Sequence, residues 1–270
     1  MEEIAYAKIN LALHVRAREP DGYHRLETLF AFAEDGDRLR VGTGEGLTLR
    51  IEGPFAADLD AGSDNLVLRA AEALRAQFPT GKGAALTLDK RLPIASGIGG
   101  GSADAAAALR LLARWWGLAA DDSLHEIAAR LGADVPACLL SRTMRGEGRG
   151  DRLDAADVDL PGTPLLLVNP RVPVSTAAVF KGWDGVDRGP LGDDWLAGRN
   201  DLEAPALALV PAIGDVLELL SRQPGLRLVR MSGSGATCFG LFESIAARDA
   251  ADRAIGALQP GWWRLASRLR

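Results

Sequence analysis

The chain has 270 residues, of which 47% are hydrophobic and 25% are charged, and its formal net charge is −5. These values are ordinary for a soluble globular protein and exclude a largely disordered chain. The negative charge, with arginines scattered along the sequence, argues against a general nucleic-acid or membrane surface. With a typical domain near ~150 residues, the length fits one large domain or two small ones.

Cysteines and the N-terminal segment narrow the class of protein further. Cys138 and Cys238 lie far apart and the chain has three histidines, so neither a disulfide framework nor a zinc site is indicated. Both thiols sit in apolar runs and are interpreted as buried structural cysteines. The N-terminus lacks the basic and apolar segments of a signal peptide, and no apolar stretch approaches ~18 residues. We therefore expect a cytoplasmic protein.

The first predicted elements are two strands and a turn. Residues 5–16 alternate between apolar and polar side chains, which predicts a half-exposed strand with Lys8 and Asn10 on its polar face. The turn residues at 20–22 predict a hairpin with a strand that returns through 23–32. The next predictions are strands within 39–52, a helix over 64–78 and a strand over 84–91.

A glycine-rich loop follows that strand and leads directly into a helix predicted over 102–116. Glycines let the backbone bend through positive φ and approach a ligand closely, and Ser102 is predicted as the N-cap of the helix. Unpaired N–H groups and the positive end of the helix dipole then favour an anion beside the loop. The predicted phosphate-binding residues are Pro93, Ile94, Ala95, Ser96, Gly97, Ile98, Gly99, Gly100, Gly101, Ser102 and Ala103.

Three other interpretations of this loop compete with phosphate binding. No G-x-x-x-x-G-K-[ST] pattern occurs in the chain, which disfavours a P-loop nucleoside triphosphatase. The spacing G-x-G-G-G differs from the dinucleotide pattern G-x-G-x-x-G, and Pro93 interrupts the approach of the strand. A plain flexible loop before a capped helix is the structural alternative. Four glycines within five positions, followed at once by the helix, favour phosphate binding.

The remaining elements indicate an α+β order and two domains. A capping box at Ser123 predicts a helix that ends at Gly132, with Asp134 in the next connection. Three glycines within 144–150 predict a flexible region, and a domain boundary is predicted near residue 155. The further predictions are strands over 165–168, 226–231 and 237–242, helices over 207–221 and 243–257, a loop over 232–235 and a last strand.

Three motifs in this order resemble those of the GHMP kinases, small-molecule kinases that use ATP. They are A-K-I-N-L at 7–11, P-x-x-x-G-x-G-G-G-S-A-D-A-A from Pro93, and S-G-S-G-A-T at 232–237. The family often has Met or Gly after the proline, where this chain has Ile94, so the entry to the loop differs. The resemblance implies a ribosomal-protein-like N-terminal domain over 1–155 with the ATP loop, and a ferredoxin-like C-terminal domain over 156–270. It also implies an active site in the cleft between them.

Further segments are similar to the branch of this family whose alcohol substrate carries a cytidine diphosphate group. They are D-G-Y-H at 21–24, L-F at 29–30, L-G-A-D-V-P at 131–136 and N-D-L-E at 200–203. The resemblance implies phosphorylation of this small molecule in the non-mevalonate isoprenoid pathway, with no nucleic-acid or membrane partner. The oligomeric state stays open between a monomer and a weak dimer.

The resemblance also implies roles for individual residues. Lys8 and Asp134 match the family's catalytic lysine and aspartate, although a surface lysine and a helix N-cap are the ordinary roles of such residues. Ser102 is a candidate ligand of the Mg²⁺ that accompanies ATP, as well as a cap. The predicted substrate-binding residues, for which core packing is the structural alternative, are Asn10, Tyr23, His24, Phe30, Thr176 and Phe180.

Three alternatives to this function remain. The first is another GHMP kinase, such as a homoserine or mevalonate kinase, and D-G-Y-H beside A-K-I-N-L counts against it. The second is a non-catalytic nucleotide-binding module, which would keep the glycine loop but would need neither Lys8 nor Asp134. The third is an oxidoreductase.

Overall fold

A computed structural model describes residues 1–119, 122–158 and 160–270, and strands and helices are interspersed along the chain. The predicted α+β class is confirmed. The strands are β1 (Glu2–Arg18), β2 (His24–Gly42), β3 (Leu47–Glu52), β4 (Ala84–Asp89), β5 (Met144–Gly148), β6 (Arg152–Ala155), β7 (Pro164–Asn169), β8 (Leu226–Met231), β9 (Cys238–Phe242) and β10 (Trp263–Arg268). The helices are α1 (Leu66–Gln77), α2 (Gly100–Trp116), α3 (Asp122–Leu131), α4 (Val135–Leu140), α5 (Thr176–Lys181), α6 (Glu203–Leu209), α7 (Ala212–Ser221) and α8 (Ile245–Leu258).

The chain forms two compact units, each assembled from three separate stretches. The first unit comprises Met1–Ala7, Asp35–Ile94 and Gly99–Ser141, and the second comprises Lys8–Glu34, Ala95–Ile98 and Arg142–Arg270. Strands β1 and β2 therefore contribute residues to both units. The boundary near residue 155 divides the chain into two continuous parts instead, and it stays a prediction.

In the first unit, helices pack together beside a short sheet. Strand β4 runs parallel to β3 and antiparallel to the last residues of β2. Helix α2 is buried along most of its length, and its alanines at 105–108 are completely buried. Side chains this small let neighbouring helices approach closely, and α1 packs directly against α2. Asn65 caps α1 by accepting a hydrogen bond from the N–H of Val67.

In the second unit, β7 to β10 form an antiparallel sheet in the order β10-β7-β9-β8. Along the chain, a strand, helices, two strands, a helix and a strand follow one another, which is the ferredoxin-like arrangement. A core cluster that includes Leu166, Val168, Ile213, Phe242 and Ile255 holds these helices on the sheet.

Strand β1 is buried on both faces, so the prediction of a half-exposed strand was wrong. The polar residues Lys8, Asn10 and His14 are 4%, 2% and 2% exposed. The period-two pattern correctly separates the two faces of the strand, but the polar face lies in a polar interior and not in solvent.

The segment 144–150 is not a flexible region, as its glycines predicted, because most of it is strand β5. Leu26 of β2 pairs with Gly148 on one side, and β6 pairs with β5 on the other. A Cβ on Gly146 would lie 2.6 Å from Cε2 of Phe30. The glycine therefore makes room for an aromatic ring.

Two helix predictions needed correction. The helix predicted over 207–221 is two helices, α6 and α7, with Pro211 as the N-cap of the second. Proline lacks the N–H that a continuous helix would need there. Helix α3 already includes Asp122, so Ser123 lies in its first turn and does not precede it. Strand β2 continues ten residues beyond Phe32, its predicted end, and so includes the start of the strands predicted within 39–52. The other predicted helices and strands are confirmed to within a few residues. Among the described residues, no helix is long and apolar enough to cross a membrane.

Candidate active site

The glycine loop is a tight stretch of left-handed backbone that ends in a helix. Ala95, Gly97 and Gly99 have φ angles of +50°, +77° and +64°. Gly99 is the N-cap of α2, so the prediction of Ser102 as the cap was wrong; Ser102 lies half-buried in the first turn. A left-handed residue cannot continue a helix, and α2 therefore begins directly after Gly99. The first N–H groups of α2 have no partner within the helix and form a candidate anion site.

The loop before the helix is fixed from two sides within the second unit. The N–H of Lys8 donates to the carbonyl of Ile98 at 3.0 Å, and the hydroxyl of Ser232 donates to the carbonyl of Gly97 at 2.9 Å. A Cβ on Gly97 would lie 2.4 Å from the Ser232 carbonyl oxygen. Gly97 is thus required both for its positive φ and for this close approach.

Lys8 belongs to a buried polar cluster. Its Nζ donates to Oδ1 of Asn10 at 2.9 Å and lies 5.3 Å from the centroid of the Phe30 ring. The Asn10 amide donates to Thr28 Oγ1 at 2.8 Å, and that hydroxyl donates to the Ala12 carbonyl at 2.7 Å. A solvated surface lysine is excluded by this burial. The structure brings Lys8, Asn10 and Phe30 together, and it adds Thr28, which no sequence motif singled out.

The loop at 232–237 contacts the same cluster. The backbone N–H of Asn10 donates to the Ser232 hydroxyl at 3.2 Å. Asn200 holds the other side of the loop, since its Nδ2 donates to the carbonyls of Met231 and Gly233, both at 2.8 Å. This loop is therefore fixed by the backbone of Asn10 and the side chain of Asn200, which lie far from it in the sequence.

Asp134 precedes α4 at the N-cap position, half-buried, but its side chain accepts no capping hydrogen bond. The structural role that the sequence left open for this carboxylate, a helix cap, is therefore not what the geometry shows. Its catalytic role stays a prediction.

The structure places His24 and Phe180 in contact. Their ring centroids are 5.0 Å apart with an interplanar angle of 37°. Trp183, which the sequence analysis did not single out, meets the His24 ring edge-on at 5.7 Å. Burial lowers the pKa of His24, and the positive charge of Arg18 lowers it further. A neutral imidazole can both donate and accept a hydrogen bond, which suits the edge of a base.

Tyr23 is 56% exposed, and one face of its ring is covered. The guanidinium of Arg149 lies 3.8 Å from the ring centroid, and the same guanidinium pairs with Asp21. No sequence pattern pointed to Arg149, which stands between two glycines. The ion pair orients the arginine over the tyrosine, so the other ring face is the one that a ligand could contact.

Thr176 is exposed at the start of α5. Its hydroxyl lies 2.9 Å from the hydroxyl of Ser234, at hydrogen-bonding distance. The predicted substrate residue thus contacts the glycine-rich loop at 232–237.

Lys90, Asp37 and Asp104 form a buried ionic cluster in the first unit. Lys90 Nζ lies 2.6 Å from Oδ2 of each aspartate, and none of the three side chains is more than 3% exposed. Burial raises the pKa of Asp104 to about 7; Lys90 opposes this shift and Asp37 adds to it. Burial alone would lower the pKa of Lys90, but the two carboxylates raise it above its ordinary value.

Because of Asp104, we expect the free energy of unfolding to decrease as the pH rises from about 4 to about 7. The native carboxyl, with a pKa near 7, still holds a proton that the unfolded carboxyl, with a pKa of 3.8, has released over this range. Asp104→Asn keeps the shape of the protonated group and removes its titration. Urea unfolding measures the free energy of unfolding near pH 5 and near pH 8. Its decrease between these two pH values should be smaller in the variant than in the wild type, by about 1 to 4 kcal/mol. Equal losses would contradict the raised pKa.

Comparison with known proteins identifies the family to which this site belongs. The GHMP kinases N terminal domain matches residues 65–142, and the GHMP kinases C terminal domain matches residues 191–260. Among curated relatives, 4-diphosphocytidyl-2-C-methyl-D-erythritol kinase of Rhizorhabdus wittichii is 61% identical over 99% of this chain and 94% of the relative. The enzyme of the same name from Novosphingobium aromaticivorans is 54% identical over 100% of this chain and 93% of the relative.

Among solved structures, a crystal structure of 4-(cytidine 5'-diphospho)-2C-methyl-D-erythritol kinase superposes with a TM-score of 0.86. It is 36% identical in sequence and covers 100% of this chain and 99% of its own.

Proposed function

The chain belongs to the GHMP kinases, and within them to the 4-diphosphocytidyl-2-C-methyl-D-erythritol kinases, and on this premise we propose that it phosphorylates the 2-hydroxyl of 4-diphosphocytidyl-2-C-methyl-D-erythritol. ATP supplies the phosphoryl group, and the products are the 2-phosphate and ADP, in the non-mevalonate route to isoprenoid precursors. The observation that carries this proposal is the 61% identity over 99% of the chain to a relative of that name.

The rival functions fit the site less well. The alcohol substrate of a homoserine or mevalonate kinase carries no base, and the contact between His24 and Phe180 would then have no substrate base to serve. A non-catalytic nucleotide-binding module needs no buried lysine, whereas burying the Lys8 ammonium is costly without function. An oxidoreductase is disfavoured because the loop lacks the dinucleotide glycine spacing.

ATP is assigned to the loop at 93–103 and the start of α2. Backbone N–H groups at a helix start favour phosphate oxygens, and the left-handed Gly97 and Gly99 shape the loop around them. In this proposal the Ser102 hydroxyl contributes one oxygen to Mg²⁺. In kinases this ion commonly keeps phosphate oxygens and water as its other ligands, so few ligands would have to come from the protein. Among residues 1–119, 122–158 and 160–270, no group of three His, Cys, Asp or Glu side chains could hold a metal alone.

Asp134 and Lys8 are assigned to the transfer step. Asp134 would take the proton of the attacking 2-hydroxyl as a general base. The Lys8 ammonium, oriented by Asn10 at 2.9 Å, would balance the negative charge of the transferred phosphoryl group. Phosphoryl transfer needs mainly such positioning and charge stabilisation.

The cytosine of the substrate is assigned to the aromatic residues of the second unit. Tyr23 and Phe180 offer ring faces, and His24 offers a neutral edge that can read the base. Asn10 and Thr176 supply polar contacts in this proposal.

Removal of either stacking ring should weaken binding of the alcohol substrate and leave ATP binding nearly unchanged. Stacking of a base on an aromatic ring contributes ~1 to 3 kcal/mol, so Tyr23→Ala or Phe180→Ala should weaken that binding by roughly 5- to 150-fold. The measurement is competition by CMP or CDP against the alcohol. Tyr6→Ala is a matched control, since Tyr6 also has an arginine over its ring, Arg110, at 5.9 Å from the centroid.

Cytidine nucleotides that fail to compete in the wild type would remove the diphosphocytidyl substrate from the proposal. The remaining conclusion would then be a GHMP kinase that acts on another alcohol.

The reaction itself is tested by a coupled assay of ADP release. The enzyme is mixed with ATP, magnesium and a panel that contains the diphosphocytidyl alcohol, homoserine and mevalonate. We expect ADP release with the diphosphocytidyl alcohol alone. Mass spectrometry should then show that this alcohol has gained one phosphate group. Faster release with homoserine or mevalonate would contradict the substrate assignment.

A further inference from the structure

The buried ionic cluster of Lys90, Asp37 and Asp104 is connected to both ends of the glycine loop. At the entering end, Asp37 Oδ1 accepts hydrogen bonds from the N–H groups of Arg91 and Leu92, at 2.5 and 2.8 Å. At the leaving end, Asp104 is the fifth residue of α2. Lys90 Nζ joins the two carboxylates at 2.6 Å each. One ammonium therefore links the two chain segments between which the loop is suspended.

Gly100 lets this ammonium lie against the first turn of α2. A Cβ at Gly100 would lie 3.1 Å from Lys90 Nζ and 3.9 Å from Asp37 Oδ2. Gly100 is not among the residues with positive φ, so a special backbone conformation does not explain the glycine. What the glycine provides is space for the ammonium directly beside the helix start.

Stability alone does not account for this cluster. Desolvation of buried charges offsets much of their attraction, and apolar residues of similar size often stabilise a protein equally well. The cluster also holds two carboxylates for one ammonium, and Asp104 Oδ1 is buried with no hydrogen-bond partner in the described part of the chain. A buried polar atom without a partner calls for an explanation other than stability.

We propose that Lys90 is a positioning residue for nucleotide binding. By joining Asp37 to Asp104, it holds both ends of the loop so that the N–H groups of the first turn of α2 meet the phosphates of ATP. This inference rests on the proposed function, which assigns ATP to this loop. A loop that is held in its binding geometry loses little freedom when the ligand binds, and affinity is gained in that way.

The first test is Lys90→Met, which keeps the length of the side chain and removes its charge. The KM for ATP should rise about tenfold or more, while kcat and the KM for the alcohol stay within about twofold. A residue that only supports folding would lower the active fraction and leave both KM values unchanged.

The matched control is Arg110→Met on α2, the helix that carries Asp104. Arg110 lies ten residues beyond Gly100. It pairs with Glu3 and donates to the carbonyls of Ile4 and Cys138. Its loss should lower the melting temperature without changing the KM for ATP. A similar rise in this KM for both variants would show a general effect of a loosened helix and would overturn the positioning role.

A second variant covers the case in which Lys90→Met does not fold. Lys90→Met combined with Asp104→Leu removes one charge of each sign, and such replacements are often tolerated or stabilising. The double variant should recover stability but keep the raised KM for ATP. Recovery of both stability and the ATP KM would overturn the proposal.

Failure of this inference differs from failure of the proposed function. A wild type that releases no ADP with any alcohol of the panel would contradict the kinase assignment. An active wild type whose KM for ATP is unchanged in the folded Lys90 variants would contradict the role of Lys90 alone.

Discussion

Replacement of Asp134 by asparagine is expected to lower kcat by roughly 10²- to 10⁴-fold, the usual range for loss of a general base. The amide keeps the shape of the side chain but cannot take the proton of the attacking hydroxyl. Since the side chain accepts no capping hydrogen bond, α4 should form as in the wild type. The affinity for ATP, measured by calorimetry, should change little.

Asp194→Asn is a suitable control. Asp194 also occupies an N-cap position, where it does accept a hydrogen bond, from the N–H of Leu196, and it has no assigned role in the reaction. Its kcat should equal that of the wild type. Near-normal turnover in purified Asp134→Asn would remove the general-base assignment.

Lys8→Ala should impair the same step as Asp134→Asn. If the two residues act as one unit, the loss of kcat in the double variant will be far smaller than the product of the two single losses. Independent losses that multiply would indicate that Lys8 acts elsewhere, for example by holding Asn10 in the buried cluster.

Gly97→Ala is expected to raise the KM for ATP about 100-fold or more. The residue has a φ of +77°, and its new Cβ would lie 2.4 Å from the Ser232 carbonyl oxygen, so the loop must move. The left-handed conformation costs an ordinary residue about 1 to 2 kcal/mol. A misplacement of about 1 Å can cost about 10²-fold in rate, and a loop moved away from the phosphates should lose ATP binding by a similar factor. Steady-state kinetics at varied ATP measures the effect.

Gly162→Ala separates the cost of the backbone from that of the contact. Gly162 has a φ of +82°, and nothing lies within 4 Å of the position of its Cβ. This control should lose only the stability that the left-handed backbone costs, and it should keep the ATP KM of the wild type. Equal ATP KM values in both variants would show that the contact with Ser232 does not shape the nucleotide site.

Much of the fold could be predicted because local patterns decide it. The glycines at 97–101 and the following alanines predicted a loop and a helix, and the structure has both, with α2 starting at Gly100. The predicted end of that helix at residue 116 is also confirmed, and Gly117 follows it with a φ of +69°. Such signals act within a few residues, so the sequence carries them directly.

The motifs, by themselves, also determined the family. The site residues that they implied include His24 and Phe180, 156 positions apart, whose rings the structure places 5.0 Å from each other. Periodicity could not have predicted that contact, since nothing local relates a hairpin to a helix of the other half. A resemblance transfers such long-range information because the relatives share the fold.

Only the tertiary structure decided the environments of the polar residues. The alternation around Lys8 is the same whether its face meets solvent or a buried cluster, and burial depends on Thr28 and Phe30 of a different strand. The glycines at 146 and 148 predicted flexibility, but pairing with β2 makes them part of a strand. Lys90 contacts Asp37, which lies 53 positions away in the sequence, and no sequence pattern predicted that ion pair. Local sequence specifies the conformations that a segment prefers. The residues that bury its side chains and surround them with charges belong to distant segments, and they come close only in the folded chain.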